Sequence, residues 1–128
     1  MAVKLNHTIV LARDRDATAK FFVDIFGLAP PRPYGPFLDV VVANEVTLAV
    51  IESHTPDIQG QHYAFLVSEA EFDDILGRVQ ARGIDYWADY MHRQQGEINR
   101  NDGGRGAYFD APDGHYLEII TRPYGSGA

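Results

Sequence analysis

The sequence predicts an α+β domain made of two similar halves, each a strand followed by a helix and then further strands. Three observations predict this repeat. An amphipathic helix pattern ends at Gly27 and another at Gly83, and a histidine precedes these glycines by 20 and 21 residues, His7 and His62. Aligning the last strand of each half places Ala49 opposite Glu118. With 128 residues, 45% of them hydrophobic, we expect a single domain over 1–128, with module 1 at about 1–53 and module 2 at about 61–122.

The first half is predicted from a β-rich segment and a helix with an apolar side. Asp14 or Asp16 offers a helix N-cap, and Gly27 suits the left-handed position that follows a helix. The four prolines between Pro30 and Pro36 exclude regular structure there. The predicted elements are a strand over 3–11, a helix over 17–26, and strands over 37–43 and 46–51.

The second half has stronger local signals. Ser68 with Glu71 three residues later predicts a helix N-terminal capping box. The sequence Pro112-Asp113-Gly114 predicts a tight turn between two apolar runs. The predicted elements are a strand over 62–67, a helix from Ser68 to Gly83, a strand over 84–90, a polar loop over 91–105, and a hairpin that ends near Thr121.

Composition and charge exclude several classes of function. The net charge of −7 argues against a nucleic-acid partner, and no segment approaches the roughly 20 apolar residues of a membrane span. We therefore expect a cytoplasmic protein that acts on a small molecule. Because the chain has no cysteine, any metal must be held by histidine and carboxylate side chains.

Two histidines and one glutamate are the candidates for such a site. His7 and His62 occupy the same position in the two halves, and Glu118 lies on the final strand between bulky apolar residues. A carboxylate in such surroundings needs a partner, because burying an uncompensated charge is costly. Two histidines and one carboxylate can bind a divalent metal and leave coordination positions open for substrate or oxygen. A hydrogen-bonded structural role is the alternative for each residue. His54 and His115 are predicted to be structural.

Four segments together resemble the vicinal oxygen chelate superfamily, which includes glyoxalase I, extradiol dioxygenases, fosfomycin-resistance enzymes and bleomycin-resistance proteins. They are LNHTIV, IFGL, QHYAFLV and GRGAYFDAPDGHYLEI. The resemblance implies two βαβββ modules that curl into a half-barrel with the helices outside. It also implies that His7, His62 and Glu118 bind a divalent metal, whether Fe, Mn, Zn or Ni. A half-barrel leaves sheet edges and an apolar rim, so we expect a homodimer.

The resemblance leaves the reaction open. Glyoxalase I has a further carboxylate ligand where this chain has Ala49, which argues against that reaction. A metal-dependent dioxygenase, lyase or transferase is expected, with Tyr108 and Arg105 as candidate catalytic residues. A fosfomycin-type enzyme would need cations such as Arg93, Arg100 and Arg105. The alternative is a metal-free drug-binding protein of the bleomycin-resistance type.

The polar loop 91–105 is predicted to lie on the surface beside the site and to gate substrate entry. Its composition offers hydrogen-bond donors and glycines but few apolar side chains. Gly103, Gly104 and Gly106 are expected to let it move. A surface excursion without function is the alternative.

Overall fold

The computed structural model describes residues 2–127, which form two compact units, Met1–Gln59 and Gly60–Ala128. Each unit contains one four-stranded mixed sheet and one α-helix, so the predicted α+β class is confirmed. In each unit the first strand runs parallel to the last, and the remaining pairings are antiparallel. Within residues 2–127, neither helix is both long and apolar enough to cross a bilayer.

In unit 1 the strand order is β1-β4-β3-β2. Helix α1 lies against this sheet and buries Phe22 and Ile25, while the sheet buries Val10, Val40 and Val50. These apolar side chains form the core of the unit. The elements are β1 His7–Ala12, α1 Arg15–Phe26, β2 Arg32–Tyr34, β3 Phe37–Val41 and β4 Thr47–Glu52.

In unit 2 the strand order is β5-β8-β7-β6, which repeats the order of unit 1. Helix α2 buries Phe72 and Val79, and the sheet buries Phe109, Leu117 and Ile119. The elements are β5 His62–Leu66, α2 Glu69–Ala81, β6 Tyr86–Trp87, β7 Gly106–Asp110 and β8 Tyr116–Ile120. Short 3-10 turns at Asn101–Gly103 and Pro112–Gly114 precede β7 and β8.

The local signals that predicted the helix ends are confirmed. Asp14 is the N-cap of α1 and accepts a hydrogen bond from the Ala17 amide, and Gly27 ends the helix at φ 67°. Ser68 and Glu71 form both hydrogen bonds of a capping box at the start of α2. Side-chain oxygens that satisfy free amide groups act over a few residues, which is why sequence spacing alone predicted them.

Three predictions about the strands were wrong: two strands differ in length from the prediction, and one strand was not predicted. Strand β1 begins at His7 rather than Val3. The proline-rich segment forms β2, because an edge strand tolerates Pro33 where a central strand would lose a hydrogen bond. The strand predicted over 84–90 contains only Tyr86 and Trp87. Beyond them the chain turns, and Asp89 accepts hydrogen bonds from the amides of residues 93 and 94.

Segment 91–105 folds back on the sheet of unit 2. Gln95 bridges to Trp87, and Asn99 bridges to Gly106 while its side chain donates to the Ala88 carbonyl. A Cβ on Gly104 would lie 2.6 Å from Thr121 Oγ1, and one on Gly106 would lie 2.8 Å from the Asn99 amide group. These two glycines therefore permit close packing, which is a different role from the mobility expected of them.

Candidate metal centre

The register of unit 2 places four site side chains on one face of its sheet. Glu118 pairs directly with Ala64 on β5 and with Tyr108 on β7. Directly paired residues point to the same face, and residues two apart along a strand do so as well. His62, Tyr108, Tyr116 and Glu118 therefore share a face, and the core side chains of β7 and β8 lie on the opposite one.

Glu118 is buried, with 2% of its surface exposed, and both of its carboxylate oxygens have partners. Oε1 lies 3.0 Å from Nε2 of His62. Oε2 accepts a hydrogen bond from the Tyr124 hydroxyl, which in turn lies 2.9 Å from the Tyr108 hydroxyl. These contacts compensate for the removal of the carboxylate from water.

The spacing of His62 and Glu118 fits a pair of metal ligands. Imidazole nitrogen and carboxylate oxygen bind zinc at about 2.0 to 2.2 Å. Two such atoms bound to one metal are about 3.0 Å apart at an octahedral angle and about 3.4 Å apart at a tetrahedral angle, and Nε2 and Oε1 are 3.0 Å apart. The side chain of His62 is 36% exposed, so this position is open to an incoming ion. A divalent metal could therefore bind to both atoms in place of their direct contact.

A cavity of about 370 Å³ adjoins His62. Its walls are aromatic, and the ring of His62 lies 5.1 Å from that of Tyr116 and 6.0 Å from that of Tyr108. Burial, with the adjacent Glu118 carboxylate, raises the pKa of Tyr108 well above its usual range, so its hydroxyl keeps its proton. The cavity is lined by His62, Tyr90, Tyr108 and Tyr116.

In unit 1, His7 lies at the first position of β1, equivalent to His62 on β5. Nδ1 of His7 lies 2.7 Å from the side-chain oxygen of Asn6, which can only accept a hydrogen bond. Nδ1 therefore carries the proton, and Nε2 is the nitrogen suited to bind a metal. A cavity of about 330 Å³ is lined by Asn6, His7, Ile9, Tyr34, Phe37, Asp39, Thr47 and Ala49.

The predicted alignment of Ala49 with Glu118 is confirmed by the strand register. Ala49 pairs with Ile9, two residues after His7, and Glu118 pairs with Ala64, two residues after His62. Within either unit by itself, the described residues include no three His, Asp or Glu side chains grouped to hold a metal. The joint binding of one metal by His7, His62 and Glu118 stays a prediction.

Arg105 lies against helix α2. Its guanidinium donates hydrogen bonds to Glu69 Oε1 at 2.7 Å and Asp73 Oδ1 at 2.8 Å, and it lies 4.4 Å from the ring centre of Phe72. These contacts favour a structural role, and the catalytic role predicted for Arg105 is untested. Tyr108, the other predicted catalytic residue, lines the cavity beside His62.

His115 and His54, which were predicted to be structural, have surroundings in keeping with that role. His115 is buried, and its Nδ1 accepts a hydrogen bond from the Gln61 amide at 3.0 Å. His54 is exposed and lies 3.6 Å from Glu52.

Two polar residues were missed in the sequence, one that lines the cavity of unit 1 and one that contacts Glu118. Asp39 pairs directly with Ala49 and lines the cavity that contains His7. Its position in the repeat, opposite Tyr108 in the other half, could have identified it once the β3–β4 register was known. Tyr124, which contacts Glu118, lies in a short C-terminal tail without a motif.

Comparison with known proteins agrees with this architecture. The chain is 58% identical to the structure described as Oxidase ChaP-H2, with a TM-score of 0.96 and 100% of both chains covered. It is 60% identical to Oxidase ChaP-H1, with a TM-score of 0.94, covering 97% of this chain and 99% of that one. It is also 25% identical to Glutathione transferase FosA of Serratia marcescens over 93% of this chain and 81% of that protein.

More distant structures share the fold alone. The fosfomycin resistance protein FosX from Mesorhizobium loti is 20% identical, with a TM-score of 0.71 and coverage of 96% of this chain and 95% of that one. The family model described as the Glyoxalase/Bleomycin resistance protein/Dioxygenase superfamily matches residues 4–119. With that match across nearly the whole chain, the protein belongs to this superfamily, the vicinal oxygen chelate group that the sequence motifs resemble.

Proposed function

We propose that this protein is a metal-dependent oxidase for an aromatic substrate that carries neighbouring oxygen atoms. The observation on which the proposal rests is the cavity beside His62 and Glu118, whose other walls are the rings of Tyr90, Tyr108 and Tyr116. Aromatic side chains favour a flat aromatic ligand through offset and edge-to-face ring contacts. The high identity to two chains described as oxidases supports the reaction class.

His62 and Glu118 would hold the metal in unit 2, and His7 would supply the third ligand. The metal is a divalent ion, with Fe, Mn, Zn and Ni as candidates, and when bound it acts as a Lewis acid toward the substrate oxygens. In the oxidation of two adjacent aromatic hydroxyls to a quinone, dioxygen would take up the two electrons and two protons that the substrate loses and would be released as hydrogen peroxide. The proton of the neutral Tyr108 hydroxyl is held within the cluster around Glu118, so its oxygen can accept a hydrogen bond from a substrate hydroxyl at the cavity wall.

The same cavity argues against a phosphonate substrate. A site for a doubly charged phosphonate needs cationic side chains, and Arg is the usual choice. Among the described residues, those that line the cavity beside His62 include no Arg or Lys. Arg105 directs its guanidinium to acidic residues of α2 instead.

Exposed apolar side chains support a homodimer as the active form. Ile9 and Val41 of unit 1 are 49% and 48% exposed, and Leu66 of unit 2 is 62% exposed. All three are on the sheet faces that bear the histidines, since they lie at even spacing from site residues on their own or paired strands. A second copy of the chain would cover this apolar surface.

Metal analysis combined with an oxygen-consumption assay tests the proposed function. Protein purified without chelators should contain about one divalent ion per chain, and aromatic compounds with two adjacent hydroxyls should cause oxygen uptake. An aromatic compound with a single hydroxyl is the control, and it should cause much less uptake. A protein that binds such aromatics without metal and without oxygen uptake would instead be a sequestering protein.

A further inference from the structure

The C-terminal tail, residues 121–127, turns back toward β7 and β8 after the last strand ends. The Ser126 amide donates to the Pro123 carbonyl at 3.1 Å, and Gly125 adopts φ 80° within this turn. The Gly127 amide donates to Asp102 Oδ1 at 3.1 Å. At the start of the tail the Thr121 amide donates to the Arg105 carbonyl at 2.9 Å, so the tail is fixed to the body of unit 2 at both ends, with Tyr124 between the two attachments.

The hydrogen bonds that reach Glu118 from this tail have a defined direction. A carboxylate only accepts, so the Tyr124 hydroxyl donates its proton to Oε2 of Glu118. The Tyr108 hydroxyl lies 2.9 Å from that of Tyr124 and also forms a hydrogen bond with Glu118. Two tyrosines, one on β7 and one in the tail, thus contact the same carboxylate.

The two carboxylate oxygens of Glu118 therefore have different partners. Oε2 is engaged by the tail, while Oε1 faces Nε2 of His62 at 3.0 Å. Without the Tyr124 hydrogen bond, Tyr108 and His62 would be left to orient the carboxylate, which could then turn more freely about its last bond and present either oxygen, or both, to an ion. Hydrogen bonds to ligand side chains commonly fix their orientation in this way.

We propose that Tyr124 is a positioning residue, which holds Glu118 so that one oxygen alone is offered to a metal beside His62. This inference rests on the proposed function, since it concerns how the same site is prepared. Under this proposal the C-terminal tail contributes to metal binding in unit 2.

The test compares Y124F with Y86F in the full-length protein. Tyr124 is 52% exposed, so loss of its hydroxyl removes little core packing. Tyr86 is the matched control, because its hydroxyl contacts Gln80 on α2 and it does not line the cavity. Zinc affinity is measured by competition with a chelating dye, and the visible spectrum of the cobalt-loaded protein reports how the carboxylate binds.

Y124F should bind zinc about 10- to 100-fold more weakly than the unchanged protein, the usual effect of removing a hydrogen bond to a metal ligand. Its cobalt spectrum should change, and Y86F should match the unchanged protein in both measurements. The melting temperature without metal identifies a variant that fails to fold. In that case Gly125→Ala, which strains the tail at φ 80° but keeps Tyr124, should weaken zinc binding as well.

Equal or tighter zinc binding by folded Y124F would overturn the inference, because the hydroxyl would then be neutral or would compete with the metal. Failure of the unchanged protein to bind zinc, cobalt, iron or manganese would overturn the proposed function itself. The two failures are distinguished by whether the unchanged protein binds metal.

Discussion

Units 1 and 2 share their order of strands and their register, yet the polar groups on their histidine-bearing faces differ. His7 and His62 are equivalent, but unit 1 has Ala49 where unit 2 has Glu118, and Asp39 where unit 2 has Tyr108. The opposite faces, which form the two cores, remain apolar in both units. Core packing constrains one face of each sheet, and the other face is free to take different chemistry.

The surroundings of His7 and His62 also differ between the two units. His62 contacts a buried carboxylate and is surrounded by tyrosines, whereas His7 is exposed and hydrogen-bonded to Asn6. Unit 2 also has contacts from two further segments. Asn99 of segment 91–105 is hydrogen-bonded to β7, and Tyr124 of the tail is hydrogen-bonded to β8. Unit 2 is therefore the more complete half of the proposed metal site, and unit 1 is proposed to contribute one ligand.

Substitution of Glu118 should lower metal affinity more than any other change. A small loss would contradict the proposal that unit 2 supplies the main part of the metal site. E118Q replaces the anionic ligand by a neutral amide of the same shape, so metal affinity should fall by at least about 100-fold. Ala49→Ser, at the equivalent position of unit 1, is the control and should leave the affinity unchanged. Chelator competition measures both. Similar losses in the two variants would show that the halves are not specialised.

The two histidines provide the next test, which asks whether unit 1 contributes a ligand at all. H7A and H62A should each lower metal affinity by roughly tenfold to a hundredfold or more, since each removes one of three proposed ligands. Elemental analysis after gel filtration measures the bound metal, and sedimentation should show a dimer for both variants. Loss of metal in H62A alone would restrict the site to unit 2.

Mixing H7A with E118Q refines the result if both variants lose metal. If His7 and Glu118 of one site come from different chains of a dimer, some mixed dimers regain an intact site and bind metal. If one chain supplies all three ligands, the mixture binds none.

Arg105→Ala should have the smallest effect and concerns stability. Arg105 connects the start of β7 to α2 through Glu69 and Asp73 and covers the ring of Phe72. Because both acidic side chains are largely exposed, solvent screening weakens these ion pairs, and the melting temperature should fall only slightly, mainly through the lost contact with Phe72. Arg100→Ala is the control for an exposed arginine of the same segment. Activity lost without a loss of stability would instead support the catalytic role predicted from the sequence.

The Arg105 effect should depend on pH. The hydrogen bonds of Glu69 with Thr121 and Arg105 lower the pKa of that carboxyl below its ordinary value of 4.5. A carboxyl with a lowered folded-state pKa stabilises the protein fully above pH 4.5, and this stabilisation is lost as the pH falls through the folded-state pKa. The difference in melting temperature between the unchanged protein and R105A should therefore be constant above pH 4.5 and shrink as the pH falls below it.

Predictions from the sequence were accurate where a feature depends on neighbouring residues. The N-cap at Asp14, the capping box of Ser68 and Glu71, and the turn at residues 112–114 each require a few side chains at fixed spacing. Strand lengths were less accurate. Pro33 is tolerated in β2 because that strand lies at an edge, and the place of a strand in its sheet depends on distant pairings.

By itself, the sequence determined the α+β class, the internal repeat, the equivalence of His7 with His62, and the family. These follow from the alternation of apolar residues, from caps and turns, and from motifs a few residues long. Tertiary structure alone decided that Asp39 pairs with Ala49, that Arg105 lies on α2, and that Tyr124 reaches Glu118. These contacts join residues that strand pairing and a returning tail bring together, and no local spacing encodes them.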